Sequence, residues 1–177
     1  MILEKENIIL RKLERKDIEM VRNWRNDSKI SQYMSFRDYI TSEMQEKWFE
    51  KIDNNNNYFF IINIDNKDIG MTELKNIDYK NKIAEAGIFI YDDFYLNGIY
   101  SYISTYILFE FGFEKLELKT IISHVLEDNK RAIKFNKSLG FIAQEELIGL
   151  SRKYILDEKS FSKTKHTLEI LINKDNL

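Results

Sequence analysis

Gly98 ends the run Asp92-Asp93-Phe94-Tyr95-Leu96-Asn97, just ahead of a long apolar segment. A glycine at a helix start lets backbone N–H groups approach an anion, and the helix dipole favours phosphate there. The same glycine is also ordinary loop punctuation. A second segment runs from Asp128-Asn129-Lys130-Arg131-Ala132 through Phe135-Asn136 to Leu139-Gly140-Phe141. Asp128 is the expected N-cap, Gly140 fits the position just past a helix end, and Phe141 supplies the apolar contact beyond it. That reading gives no reason for Asn129 directly after the cap. Ser123-His124 sets a hydroxyl beside an imidazole, yet neighbours on a strand point to opposite faces, so they form no nucleophile–base couple. His124 could still line a cleft at a strand end, although a structural role is the one expected.

These residues need elements to hold them. Ile8-Ile9-Leu10-Arg11 reads as a short opening strand, and a helix from Asp17 carries Ile18, Val21 and Trp24/Arg25 at helical spacing. Ser42-Glu43-Met44-Gln45 fits a capping box, with Met44, Trp48, Phe49 and Ile52 as one apolar stripe. After the polar loop Asn54 to Asn57 come strands Tyr58 to Ile64, Ile69 to Ile77 and Ile83 to Ile90, with Asp- and Asn-containing turns between them. Gly98 to Phe113 reads as a buried helix, Leu118 to Val125 as a strand, and Asp128 to Leu139 as a helix closed by Gly140. Phe141 to Ile155 and His166 to Ile172 look like two strands joined by a loop rich in Lys and Ser. The order describes an α/β fold with helices laid against one mixed sheet.

Composition bounds the chemistry. The chain of 177 residues is read as a single domain, 1–177, with 44% hydrophobic and 14% aromatic residues, which excludes overall disorder. It contains no cysteine and 2 histidines, His124 and His166. Disulfides, thiolate sites and a cysteine nucleophile are excluded, and no metal site is expected. With 27 basic and 29 acidic side chains the net charge is -2, unlike the basic footprint of a nucleic-acid binder. The N-terminus Met1-Ile2-Leu3-Glu4-Lys5-Glu6 alternates charge, and Tyr58-Phe59-Phe60-Ile61-Ile62 is far too short for a membrane span. A cytoplasmic protein with no membrane partner is expected.

Asn129-x-x-Ala132 ending in Leu139-Gly140-Phe141 resembles the last block of the GNAT superfamily of acetyl-CoA-dependent N-acetyltransferases. Ile69-Gly70, Ala84-Glu85-Ala86-Gly87-Ile88 and Gly98 fall upstream in the matching order. The resemblance implies a GNAT-like, mostly antiparallel central sheet flanked by helices. It also implies acetyl-CoA as co-substrate, with a phosphate cradle at Tyr95, Leu96, Asn97, Gly98, Ile99, Tyr100 and Ser101. Backbone groups along Ile88, Phe89 and Ile90 would hold the pantetheine arm, with Asn129, Phe135 and Asn136 beside it. Two departures stand out. Tyr95 and Tyr100 replace the Arg or Gln and the small residue usual in the cradle, and Asn136 takes the place of the frequent general-acid tyrosine. An amide cannot donate that proton, although a thiol of pKa about 8.5 leaves tolerably as thiolate.

The acceptor must be an amine freed of its proton, since amines of pKa about 8 to 10 are mostly charged at pH 7. The resemblance places Glu85 where a base would act, with Glu73 on the preceding strand as second choice. Within the superfamily the chain is similar to the branch of ribosomal-protein and amino-sugar N-acetyltransferases, through Asn23-Trp24-Arg25-Asn26-Asp27 and Gln32-Tyr33-Met34. An amino-sugar nucleotide is therefore the expected substrate, with Trp24 stacking on it, Arg25 meeting a phosphate and Asn26 beside them. Two rivals stay open: acetylation of a protein N-terminus, and a non-catalytic acyl-CoA-binding module. The apolar C-terminal hairpin could pair with a second subunit to give a homodimer.

Overall fold

The computed structural model describes the backbone of residues 1–174, and side chains apart from those of 167, 168 and 171–174. In chain order the strands and helices are β1 (Ile2–Lys5), β2 (Ile8–Lys12), a 3-10 turn (Arg15–Asp17), α1 (Ile18–Asn26), α2 (Ser28–Ser31), α3 (Ser42–Ile52), β3 (Tyr58–Ile64), β4 (Lys67–Asp78) and β5 (Ile83–Ile90). There follow α4 (Asp93–Leu96), α5 (Tyr100–Glu110), a π turn (Phe111–Lys115), β6 (Thr120–Leu126), α6 (Lys130–Ser138), β7 (Ile142–Ile148), β8 (Ser151–Asp157) and α7 (Glu158–Lys174). All eight strands form one sheet in the order β1-β2-β3-β4-β5-β6-β8-β7. Every neighbouring pair is antiparallel except β5 with β6. The α/β fold with a mostly antiparallel sheet is the one expected.

β3 shows why both faces are covered. Phe60, Ile62 and Ile64 enter the core under α5 and α7, whereas Phe59 and Ile61 enter a second core with Ile18, Val21 and Trp24 of α1 and Phe49 of α3. A strand buried on both sides loses alternation and reads as a continuous apolar run. Among the expected stripe residues of α3, Phe49 is buried while Met44 is exposed.

Several boundaries differ from the sequence pattern. Thr41, not Ser42, caps α3, its hydroxyl accepting from the Met44 N–H at 3.2 Å. The buried helix begins at Tyr100 rather than Gly98 and runs into the π turn. β1 goes unread in the sequence because it is half exposed at the sheet edge, paired only through Ile2–Lys5 with Ile8–Arg11. The largest correction is at the C-terminus. His166–Ile172, which reads as a strand, lies within α7, and the hairpin is instead β7–β8, turning at Gly149 with φ +60°. Phe161, Lys165 and Glu169 recur every four residues on one face of α7. Phe161 packs on Phe109 and Phe113, Lys165 pairs with Glu110 and Glu114, and Glu169 accepts from the Tyr106 hydroxyl. Helical spacing satisfied by charged partners has no apolar signature.

The α1 entrance is fixed by a fork. Arg11 donates to both oxygens of buried Asp17 at 2.8 and 2.9 Å, Asp17 also accepts from the Glu14 N–H at 2.9 Å, and Arg11 reaches Asp68 at 2.6 Å. Burial works to raise the Asp17 carboxyl's pKa, but the Arg11 and Glu14 hydrogen bonds outweigh it and hold it below the ordinary value. A depressed carboxylate stabilises the fold fully above its unfolded pKa and progressively less as pH falls through the folded one. Asp17→Asn should therefore cost about 2–3 kcal/mol at pH 7, a deficit that shrinks below roughly pH 4. Urea denaturation at both pH values reads it, and a deficit independent of pH would refute the assignment.

Candidate active site

The site arises where the sheet comes apart. β5 and β6 pair in parallel only over Ile83–Glu85 and Thr120–Ile122. Beyond Glu85, β5 stays with β4 as far as Ile90, while β6 stays with β8 along its whole length. The stretch Ala86 to Ile90 thus has no ladder partner on its β6 side. A cavity of about 970 Å³ opens at this gap, lined from β4, β5, β6, α6, the α4–α5 loop and the segment after α1.

One side of the cavity belongs to α5 and α6. Leu96, Asn97, Gly98 and Ser101 line it, as do Ile88, Phe89 and Ile90 of β5 and Asn129, Phe135 and Asn136 of α6. The cradle is open despite its two tyrosines, because the Tyr95 and Tyr100 rings pack edge to face at 5.0 Å. Tyr95, Ile99 and Tyr100 pack against the core and do not line the cavity. Arg131 donates to Asn97 Oδ1 and shares the wall with Lys134, two cations that the sequence reading did not single out.

The N-cap of α6 is Asn129 and not Asp128. Its Oδ1 accepts from the Ala132 N–H at 3.0 Å, which explains the residue after the supposed cap and, among the described residues, leaves its amide nitrogen free to serve a ligand. At the other end Gly140, at φ +91°, takes the left-handed conformation the helix stop requires. Asn136 is 7% exposed and donates from Nδ2 to Ser123 Oγ at 3.0 Å.

The opposite side carries the charges. Register sets Lys75 across from Glu85 and Glu73 across from Gly87, so all four occupy one face. A Cβ at position 87 would lie 2.5 Å from Glu73 Oε1, so the glycine makes room for that carboxylate. Lys75 Nζ meets Glu73 Oε1 at 3.2 Å, and the Glu73 charge raises the Lys75 pKa. The Glu73 side chain is 12% exposed and the Glu85 side chain 33%. Glu85 Oε2 is 4.0 Å from His124 Nδ1, so His124 stands at the charged centre rather than in a merely structural place. Ser123 and His124 face opposite ways, the first to α6 and the second to Glu85.

Of the three α1 residues, Arg25 alone lines the cavity. Trp24 is 7% exposed, stacked on Tyr91 and edge-on to Phe89, so it is a core residue and cannot stack on a ligand. Asn26 is a structural clamp: its side chain donates to the Ile40 carbonyl at 2.9 Å and accepts from the Ile40 N–H at 2.8 Å. In the segment after α1, Tyr33 is an aromatic that does reach the wall. Arg25 Nε is buried with no hydrogen-bond partner among the described residues. Burial lowers the Arg25 pKa, while the Glu73 charge acts against that shift.

A two-sided cavity through a parted sheet, with a helix-start cradle at one end and carboxylates at the other, suits a long phosphorylated thioester meeting an amine. The sequence profile of the acetyltransferase (GNAT) domain matches residues 7–142. The chain belongs to this family. GNAT acetyltransferases use acetyl-CoA, which supplies an acetyl thioester, and the gap, the cradle and the free Asn129 amide fit it. The chain is 28% identical over 136 residues to the acetyltransferase PseH of Campylobacter jejuni, covering 76% of this chain and 82% of that one. It is 26% identical over 170 residues to the spermidine N(1)-acetyltransferase of Vibrio cholerae, covering 89% and 98%. The structure of the V. cholerae enzyme with CoA and spermine superposes with a TM-score of 0.78 at 23% identity, over 89% of this chain and 99% of that one. A nucleotide-linked sugar GNAT, FdhC, superposes at 0.79 and 21% identity, over 94% and 96%. This chain is an acetyltransferase acting on amines. Among the described residues no helix is long and apolar enough to cross a membrane.

Proposed function

We propose that this GNAT enzyme acetylates the primary amine of an anionic small molecule, an amino sugar linked to a nucleotide. The observation that carries the reading is Arg25, a half-buried guanidinium on the acceptor side whose buried Nε has no partner among the described residues. A desolvated cation is costly unless it meets an anion, and guanidinium matches phosphate geometry. Lys29 and Tyr33 lie on the same wall, and FdhC is a nucleotide-linked sugar GNAT.

In this reading Glu85 is the base. It is the more exposed of the two carboxylates and is free of the ion pair that ties Glu73 to Lys75. Glu73 serves as counter-ion to Lys75 and Arg25. The amine binds against Glu85 and gives up a proton there, which frees its lone pair to attack the thioester carbonyl; the second N–H proton leaves after the attack. The cradle residues Leu96, Asn97, Gly98 and Ser101 would hold the pyrophosphate, with Arg131 and Lys134 adding positive charge. The exposed apolar residues Ile142, Leu147, Ile148 and Leu150 of the β7–β8 hairpin offer a second copy a surface to pair on.

A second reading, a polyamine acceptor, draws on the same carboxylates and on the V. cholerae relative. Steady-state kinetics with a nucleotide-linked amino sugar, spermidine and a peptide N-terminus separate the readings. The amino sugar is expected to exceed both others in kcat/KM by at least about tenfold, or roughly 1.4 kcal/mol. Preference for spermidine would overturn the proposal.

A further inference from the structure

By the resemblance to the family Asn136 stands where a general-acid tyrosine is frequent, and an amide cannot protonate the departing sulfur, so another donor is needed. We propose that the Ser123 hydroxyl hydrogen-bonds that sulfur, and that Asn136 sets the hydroxyl's direction. Both side chains lie on the cavity wall, on the α6 side of the parted strands. The Asn136 amide nitrogen has only hydrogens to offer, so its 3.0 Å bond to Ser123 Oγ consumes an oxygen lone pair. The hydroxyl's own hydrogen is then left for another acceptor, and no protein acceptor takes it among the described residues. Asn136 is held in turn, 7% exposed, with its backbone carbonyl accepting from the Phe141 N–H at 3.0 Å.

Of the other hydroxyls on this side, that of Tyr102 pairs with Ser138 Oγ at 3.0 Å, Thr105 Oγ1 is buried, Ser101 lies in the cradle and Ser151 stands opposite the far end of β6. Ser123 directly follows the last β6 residue paired to β5, beside the parting of the strands where the thioester would lie, and the step balances without an acid. The C–N bond forms and the C–S bond breaks. The ammonium first gives one proton to Glu85 and on to solvent, and the nitrogen sheds a second by the same route once the C–N bond has formed. The sulfur leaves as thiolate, stabilised by the O–H, and takes a proton from water afterwards if the pH calls for it. Asn136 touches no reacting atom and is a positioning residue.

The test reads the sulfur directly. It rests on CoA seating at the β5–β6 gap and needs no knowledge of the acceptor. Free CoA is bound to the full-length protein and its thiolate absorbance followed against pH. The bound thiol is expected to titrate about one pKa unit lower in the wild-type protein than in Ser123→Ala, a tenfold change in thiolate population. Ser123→Thr, which keeps the hydroxyl, should restore the low value, and Asn136→Ala should lose part of it. Turnover of Ser123→Ala should fall by about tenfold with KM for acetyl-CoA unchanged. A merely structural serine would alter the melting temperature and leave the thiol titration alone. Identical titrations in wild type and Ser123→Ala overturn the inference. Absence of any CoA-dependent rise in the wild-type melting temperature overturns the CoA seat, and the inference with it.

Discussion

Replacing Glu85 by glutamine is expected to lower kcat by about 10²- to 10⁴-fold while leaving acetyl-CoA affinity intact. The argument is positional. Glu85 is the last β5 residue paired to β6, so its carboxylate stands at the point where the strands part and the two halves of the cavity meet. It faces the acceptor side with Lys75 opposite and His124 at 4.0 Å, and no hydrogen bond ties it down among the described residues. Glutamine keeps the shape and loses the basicity. Acetyl-CoA at about 100 times Kd should still stabilise the variant by about 2.7 kcal/mol, or roughly 5–10 °C in Tm. An unchanged kcat would remove Glu85 as base. Glu73→Gln makes the control, because it strips Lys75 and Arg25 of their counter-charge and should reduce the melting temperature as well as the rate.

Much of the sheet was legible because β3 is almost wholly aromatic and Ile and because segments with Asp and Asn bound both β3 and β5, which were recovered to the residue. What escaped lies where charge replaces apolar periodicity. α7 docks through Lys165 and Glu169 as well as Phe161, so its pattern imitates a strand over a few residues. Caps shift by one residue wherever two cap-forming types adjoin, as in Thr41-Ser42 and Asp128-Asn129, because spacing alone does not say which side chain closes on the third N–H.

The site was legible in outline and not in detail. Glycine spacing and the Asn129 block mark the two helix starts, but the gap between β5 and β6 is a failure of pairing, and no residue type announces that. Trp24 and Arg25 are adjacent, so one helical step decides which is buried in the core and which reaches the cavity. Lys75 stands two residues after Glu73 on one strand face, a signal present in the sequence but easily taken for surface charge. Ser123 and His124, useless as a couple, each find a partner across the sheet.

Arg25→Met should raise KM for a nucleotide-linked amino sugar by about 10²-fold, with kcat little changed and spermidine turnover unaffected or improved. The size follows from a partly desolvated guanidinium meeting phosphate, a contact worth about 2–3 kcal/mol when one partner is removed. The more telling half of the experiment is the melting temperature. Without an anion, Arg25 holds a buried Nε–H that nothing accepts among the described residues, and burial alone pulls its pKa down. Methionine fills similar volume without that cost, so the unliganded variant should melt at the wild-type temperature or above it. A residue kept for packing or for its pairing with Glu73 would do the reverse, losing stability on substitution and leaving KM alone. Gain in stability with loss of anionic substrate is the signature of a cation placed for its ligand, and stability and KM falling together would assign Arg25 to the fold instead.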